Sequence, residues 1–138
     1  YFYIITCLYF EGELTGKETD SSLIYIPKFG QRKYTDNPLV ETKRIISRLS
    51  MLTDVDKSMM IGIILVNNNC KINVISDATK DGAPVSEDEK VYYFVKQKNF
   101  EKLIKKIESR DIGTINEEQL ARAVKAIDKM NRRKIYNG

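Results

Sequence analysis

Two groups of cations sit at spacings suited to holding an anion. Lys28, Arg32 and Lys33 lie within the stretch KFGQRKYTD, and Lys43, Arg44 and Arg48 follow shortly after it. Such groups displace the counterions condensed on a phosphate backbone, so the pattern points to nucleic acid, with a solvated basic surface as the ordinary alternative. The net charge of +4 and the pI near 9.0 agree with an anionic partner without naming one. The chain contains no histidine, which removes His-based zinc sites, Ser-His-Asp triads and Cys-His nucleophile pairs together. Any catalysis must therefore use carboxylates and lysines, with or without a hard metal ion. Cys7 and Cys70 lie in apolar runs without the spacing of a metal knuckle or redox pair, and no histidine is present to activate Cys70 as a nucleophile. This cysteine usage fits a reduced, cytoplasmic setting.

A further stretch, IITCLYFEGELTG from Ile4 to Gly16, has the form of a strand that ends at a site: an apolar run breaks abruptly into two acids and two glycines. A rigid strand whose end meets water is a common way to present a chemical group.

The elements that must position these groups read as a single α/β domain over 1–138, with a core over about 1–110 and a C-terminal amphipathic helix over about 114–134. With 42% hydrophobic and 30% charged residues the composition is that of a globular protein. The apolar opening run is too short to span a bilayer and lacks the marks of a signal peptide, so no membrane partner is expected. The chain begins without Met, inside an expected strand, and reads as a fragment or as a chain whose earlier residues are missing.

After the first strand, which reads as fully buried, ELTGKETDSS is a turn-rich polar stretch and SLIYI a short strand closed by Pro27 and Gly30. KFGQRKYTD is then a basic loop. Asn37 and Pro38 are an N-cap followed by proline at the first helical position. From Leu39 to Leu52 the period is helical, with Leu39, Ile45, Ile46, Leu49 and Leu52 on one arc, Lys43, Arg44 and Arg48 opposite, and Glu41 at the edge. MMIGIILV reads as a central strand covered on both faces. Asn67 to Asn69 turn the chain, KINVIS is a strand and the hairpin partner of that run, DATKDGAPVSEDEK is an exposed loop and VYYFV another strand. Asn99 is placed to cap a helix with Phe100, Leu103, Ile104 and Ile107 on one face. TINE from Thr114 is a capping-box match for a last helix whose core face holds Leu120, Ala123, Val124, Ile127 and Met130. Its other face carries Arg122, Lys125 and Lys129, continued by Arg132, Arg133 and Lys134. The tyrosines Tyr1, Tyr3, Tyr9, Tyr92 and Tyr93 fall in strand patterns and are expected to pack.

This order of parts, with Gly12 and Gly16 after the strand and Asn37-Pro38 opening YTDNPLVETKRIISRL, resembles the later part of the nuclease-related domain (NERD) family over roughly Tyr3 to Ile107. The resemblance implies a restriction-endonuclease-like, PD-(D/E)xK-type fold, a mixed sheet flanked by helices. It also implies a Glu-x-Lys pair at the end of the first strand and an aspartate one strand earlier, holding Mg²⁺ with the lysine beside the attacking water. Thr6 and Leu8 stand at the Glu-x-Lys positions here, and the aspartate strand would precede Tyr1. The site is thus expected to be degenerate.

Glu41 stands where that family has a glutamine, and could replace a lost ligand. Glu11 and Glu13 could also bind metal, although turn acids are the ordinary reading of both. A second registration makes VETK the Glu-x-Lys pair, with Asp20 as partner acid, so that Asp20, Glu41 and Lys43 form a Mg²⁺-dependent site. Against it, Pro38 and the helical period place Glu41 and Lys43 on a helix. Three functions follow: a catalytically degenerate domain that binds nucleic acid, DNA before RNA; an active Mg²⁺-dependent nuclease; and a protein-interaction module without nucleic acid.

Overall fold

Continuous apolar sequence builds the centre of the molecule. In chain order the elements are β1 (Phe2–Leu8), β2 (Gly12–Lys17), β3 (Ser22–Pro27), β4 (Lys33–Asp36), α1 (Pro38–Thr53), β5 (Met60–Val66), β6 (Lys71–Ile75), β7 (Thr79–Lys80), β8 (Ala83–Pro84), β9 (Tyr92–Lys96) and α2 (Phe100–Glu108). The computed structural model describes residues 1–75 and 89–110, the backbone of 79–80 and 83–84, and helical positions 117–118, 120–122, 124–125 and 128.

The architecture is mixed α/β. β5, from MMIGIILV, is the middle strand of a three-stranded parallel sheet in the order β1-β5-β9. Only Leu65 in it is not fully buried, as a strand covered on both faces requires. On one face α1 lays Ile46 and Leu49 over Met60, with Phe2 and Ile4 packed alongside. On the other, α2 lays Ile107, Leu103 and Ile104 over Ile61, Ile63, Tyr93 and Val95. The approach of α1 explains Gly62: a Cβ there would lie 2.7 Å from Thr42 Cγ2.

A second sheet, β4-β3-β2-β6, is antiparallel except where β6 runs parallel to β2. Its inner face presents Leu14, Tyr25, Ile72 and Val74 to a cluster with Leu8, Phe10, Leu39, Ile64, Val66 and Cys70. Asn37 joins the parts. Its side-chain oxygen accepts from Leu39 N at 3.0 Å, capping α1, while Nδ2 donates to Glu18 O and Asp20 O at 3.0 and 2.8 Å. The Asn-Pro start of α1 is therefore as the sequence predicts.

Several expectations are corrected. The main strands divide between a parallel and a mixed sheet. β1 is an edge strand, half-buried, with Ile5 44% exposed, because only β5 flanks it among the described residues. ELTGKETDSS opens with strand β2, since Leu14 points inward while Glu13 and Thr15 point outward. Gly12 permits this: with φ at +145° its Cβ would lie 2.1 Å from Ile26 O. KFGQRKYTD ends in strand β4. β6 does not return as a hairpin on β5; it crosses to the second sheet.

In α1 the buried face is Leu39, Thr42, Ile46, Leu49 and Thr53, and Leu52 is 56% exposed. Thr42 and Thr53 take the middle of the face by bonding their hydroxyls back to Pro38 O and Leu49 O, which turns Leu52 about 100° away from the middle of that face. Asn99 precedes α2 without a side-chain capping bond.

Leu120 and Val124, expected in the core, are 48% and 56% exposed. In this stretch Arg122 forms an exposed ion pair with Asp54 at the end of α1, at 3.1 Å. Thr114, Ala123, Ile127, Lys129, Met130, Arg132, Arg133 and Lys134 lie outside the described residues, as does most of the expected DATKDGAPVSEDEK loop apart from the short β7–β8 pair. No helix among the described residues is long and apolar enough to cross a membrane.

Candidate nucleic-acid interface

The β3–β4 hairpin gathers one of the two predicted cation groups. Tyr25 pairs with Lys33 and Ile24 with Tyr34, so that Tyr34 lies on the outer face of the sheet. The intervening Lys28 to Arg32 form the tip, where Gly30 takes a φ of +115°. The tip is pinned at its base: Lys28 N donates to Glu11 O at 3.0 Å, and Tyr25 OH donates to the same oxygen at 2.9 Å.

From Lys28 to Tyr34 the sequence is KFGQRKY, three cations and no acid. All three cations are exposed. Lys28 Nζ lies 5.7 Å from the centre of the Phe29 ring, and among the described residues no ion pair engages Arg32 or Lys33. Phe29 is 86% exposed and Tyr34 82%.

These two rings are the residues that reading the sequence missed. The signal was present, since both stand next to lysines in a segment bounded by Pro27 and Asp36 without the alternation of a buried strand. Tyr9, expected to pack, is also 67% exposed and donates to Glu11 Oε1 at 2.7 Å. That bond to a carboxylate raises the Tyr9 phenol above its ordinary value. Tyr1, Tyr3, Tyr92 and Tyr93 pack as expected.

The second cation group is dispersed around α1. Lys43 Nζ sits 5.0 Å from the centre of the Tyr92 ring at the junction of helix and sheet, and burial raises the Tyr92 phenol. Arg44 is paired with Glu41. Arg48 is exposed one turn beyond Arg44.

Thr6 stands opposite Ile64 in the parallel sheet, and Leu8 packs on the cluster of Leu14, Leu39, Ile64, Val66 and Cys70. The end of β1 is thus closed by the second sheet. Asp20 Oδ2 accepts from Lys17 N at 3.0 Å, Glu41 faces Arg44, and Lys43 faces Tyr92. Asn37 holds the Asp20 backbone near the start of α1, yet each of these three side chains is engaged elsewhere. Glu11 takes the Tyr9 hydroxyl and Glu13 takes the Asn73 amide. No three carboxylate or thiol groups that could hold a metal ion converge among the described residues.

Cys70 is buried, and that burial pushes its thiol above the ordinary value, with Lys96 pulling weakly the other way. A thiol held protonated is a poor nucleophile.

No family model matches the chain, and neither the curated proteins nor the solved structures contain a match.

Proposed function

We propose that this domain binds nucleic acid without cleaving it, and that the β3–β4 hairpin is the principal contact. The observation that carries this reading is the set of exposed cations Lys28, Arg32 and Lys33 on a hairpin pinned at its base, with no acid between them. Cations held on a fixed backbone match a phosphate chain at little ordering cost. Arg44 and Arg48 on α1 are a second, weaker contribution, because Arg44 is already paired with Glu41. The resemblance of the layout to the nuclease-related domain belongs to the same proposal, and is what favours DNA over RNA. The packed end of β1 and the separate engagements of Asp20, Glu41 and Lys43 support the non-cleaving part.

A salt titration of binding to a labelled oligonucleotide tests the first part. With three phosphates neutralised, log K should fall against log salt with a slope of about −2 for a single strand. Lys28→Ala/Arg32→Ala/Lys33→Ala should remove most of that slope while leaving the fold intact. Absence of binding at low salt would instead support a protein-interaction module. Incubation with linear and supercoiled DNA and with RNA, in Mg²⁺ and in Mn²⁺, tests the second part. Metal-dependent cleavage by the parent that disappears in Glu41→Ala would promote the Asp20, Glu41 and Lys43 site and overturn the proposal.

A further inference from the structure

Phe29 and Tyr34 are 86% and 82% exposed, and their exposure does nothing for folding. The neighbouring aromatics show the difference: Phe10 and Tyr25 meet at 5.1 Å between ring centres inside the cluster that joins the two sheets. Phe29 carries no polar atom to justify contact with water. Aromatic rings left in solvent on a surface of fixed geometry are typical of a binding surface rather than of a fold.

We infer that the hairpin is a stacking platform for single-stranded nucleic acid, Phe29 and Tyr34 taking unpaired bases while Lys28, Arg32 and Lys33 follow the backbone. This rests on the nucleic-acid reading above and adds the strandedness of the ligand. In a duplex the flat faces of the bases are hidden in the stack, so a protruding ring has nothing to lie on. In a single strand every base offers a π-face, whatever its identity. An acidic peptide would satisfy the three cations and leave both rings in water. The order along the hairpin also fits an alternating polymer of charges and rings, since Lys28 precedes Phe29, and Arg32 and Lys33 precede Tyr34. Tyr9, 67% exposed and tied through Glu11 to the base of the same hairpin, is placed beside it.

The test compares an oligothymidylate of about 12 nucleotides, within the range such surfaces cover, an oligouridylate of the same length, a duplex, and polyglutamate. Binding is followed by fluorescence anisotropy at matched salt. The single strands should bind more tightly than the duplex. Phe29→Ala and Tyr34→Ala should each weaken single-strand binding by about 5- to 150-fold, leaving the salt slope and duplex binding unchanged. The chain has no tryptophan, so Phe29→Trp supplies a lone reporter that should keep the affinity and be quenched as bases stack. Preference for either single strand supports the inference. A retained salt slope with no loss in the alanine variants would overturn stacking and leave phosphate binding standing. Equal losses on duplex, or polyglutamate binding as tightly as the oligonucleotides, would also overturn it. No binding of any nucleic acid by the parent would overturn both readings.

Discussion

The end of β1 and the tip of the β3–β4 hairpin are both places where a rigid strand reaches the limit of a sheet, and they use that position in opposite ways. At the first, Leu8 is packed beneath the second sheet with Phe10, Val66 and Cys70. At the second, Phe29 and Tyr34 stand in water among three cations. A strand end becomes a site only if its last side chains have somewhere to go other than the core. At the end of β1 Leu8 meets the second sheet, so packing takes it. In the hairpin Pro27 and Gly30 turn the chain before any apolar partner is met, which leaves the rings outside.

The largest expected effect lies on the packed side. Ile64→Ala, beside Thr6 in the parallel sheet, in the cluster that holds Leu8, and fully buried, should lower stability by about 2 to 5 kcal/mol in a denaturant melt, as large-to-small core changes do. A loss below about 0.5 kcal/mol, the surface range, would mean that the two sheets are not packed together there.

Next comes the joint between the sheets. Asn37→Ala removes the cap of α1 and leaves Glu18 O and Asp20 O without their donor, and should cost about 1 to 3 kcal/mol. Asn37→Asp keeps the acceptor and loses the donor, so it should fall between Asn37→Ala and the parent. Equal losses in the two variants would show that the cap contributes nothing.

A smaller effect is expected from pH. Burial raises Cys70 and Tyr92 above their ordinary values of 9.0 and 10.0, and burial followed by the Glu108 hydrogen bond raises Tyr3. The folded state therefore holds these protons longer than the unfolded chain. Stability should be level with respect to these groups below their unfolded values and fall as pH rises through and beyond them. Tyr92→Phe should make the alkaline fall shallower. A melting temperature that rises with alkaline pH would contradict the sign.

The smallest effect on stability belongs to the hairpin. Phe29→Ala and Tyr34→Ala should each stay within about 0.5 kcal/mol of the parent, in contrast to Ile64→Ala. A loss comparable to the core variant would place these rings in a folding role and erase the difference between the two strand ends.

Much of the fold was legible because single residues carry strong local instructions. Asn37-Pro38 ahead of a helical period marks a helix start, and the unbroken, β-branched MMIGIILV run marks a central strand. What escaped depended on partners distant in sequence. β2 and β4 looked polar because half of each strand faces water, and β6 looked like a hairpin partner of β5 because nothing local records that it pairs with β2. Leu52 was misplaced because Thr42 and Thr53, polar in type, take buried positions by bonding to their own helix. At the candidate site the cations Lys28, Arg32 and Lys33 were legible from spacing alone. The exposure of Phe29 and Tyr34 was signalled only by their lysine neighbours and the missing alternation, and that of Tyr9 not at all, since an aromatic type does not say whether a core lies within reach.

The most direct measurement is a map of backbone amide shifts as a short single-stranded oligonucleotide is titrated into the labelled protein. Changes concentrated over residues 28–34, with smaller ones near Tyr9 and Arg48, are the predicted result. Changes centred on the end of β1, on Asp20 and Glu41, or nowhere in the chain would contradict the claim that the hairpin is the binding element.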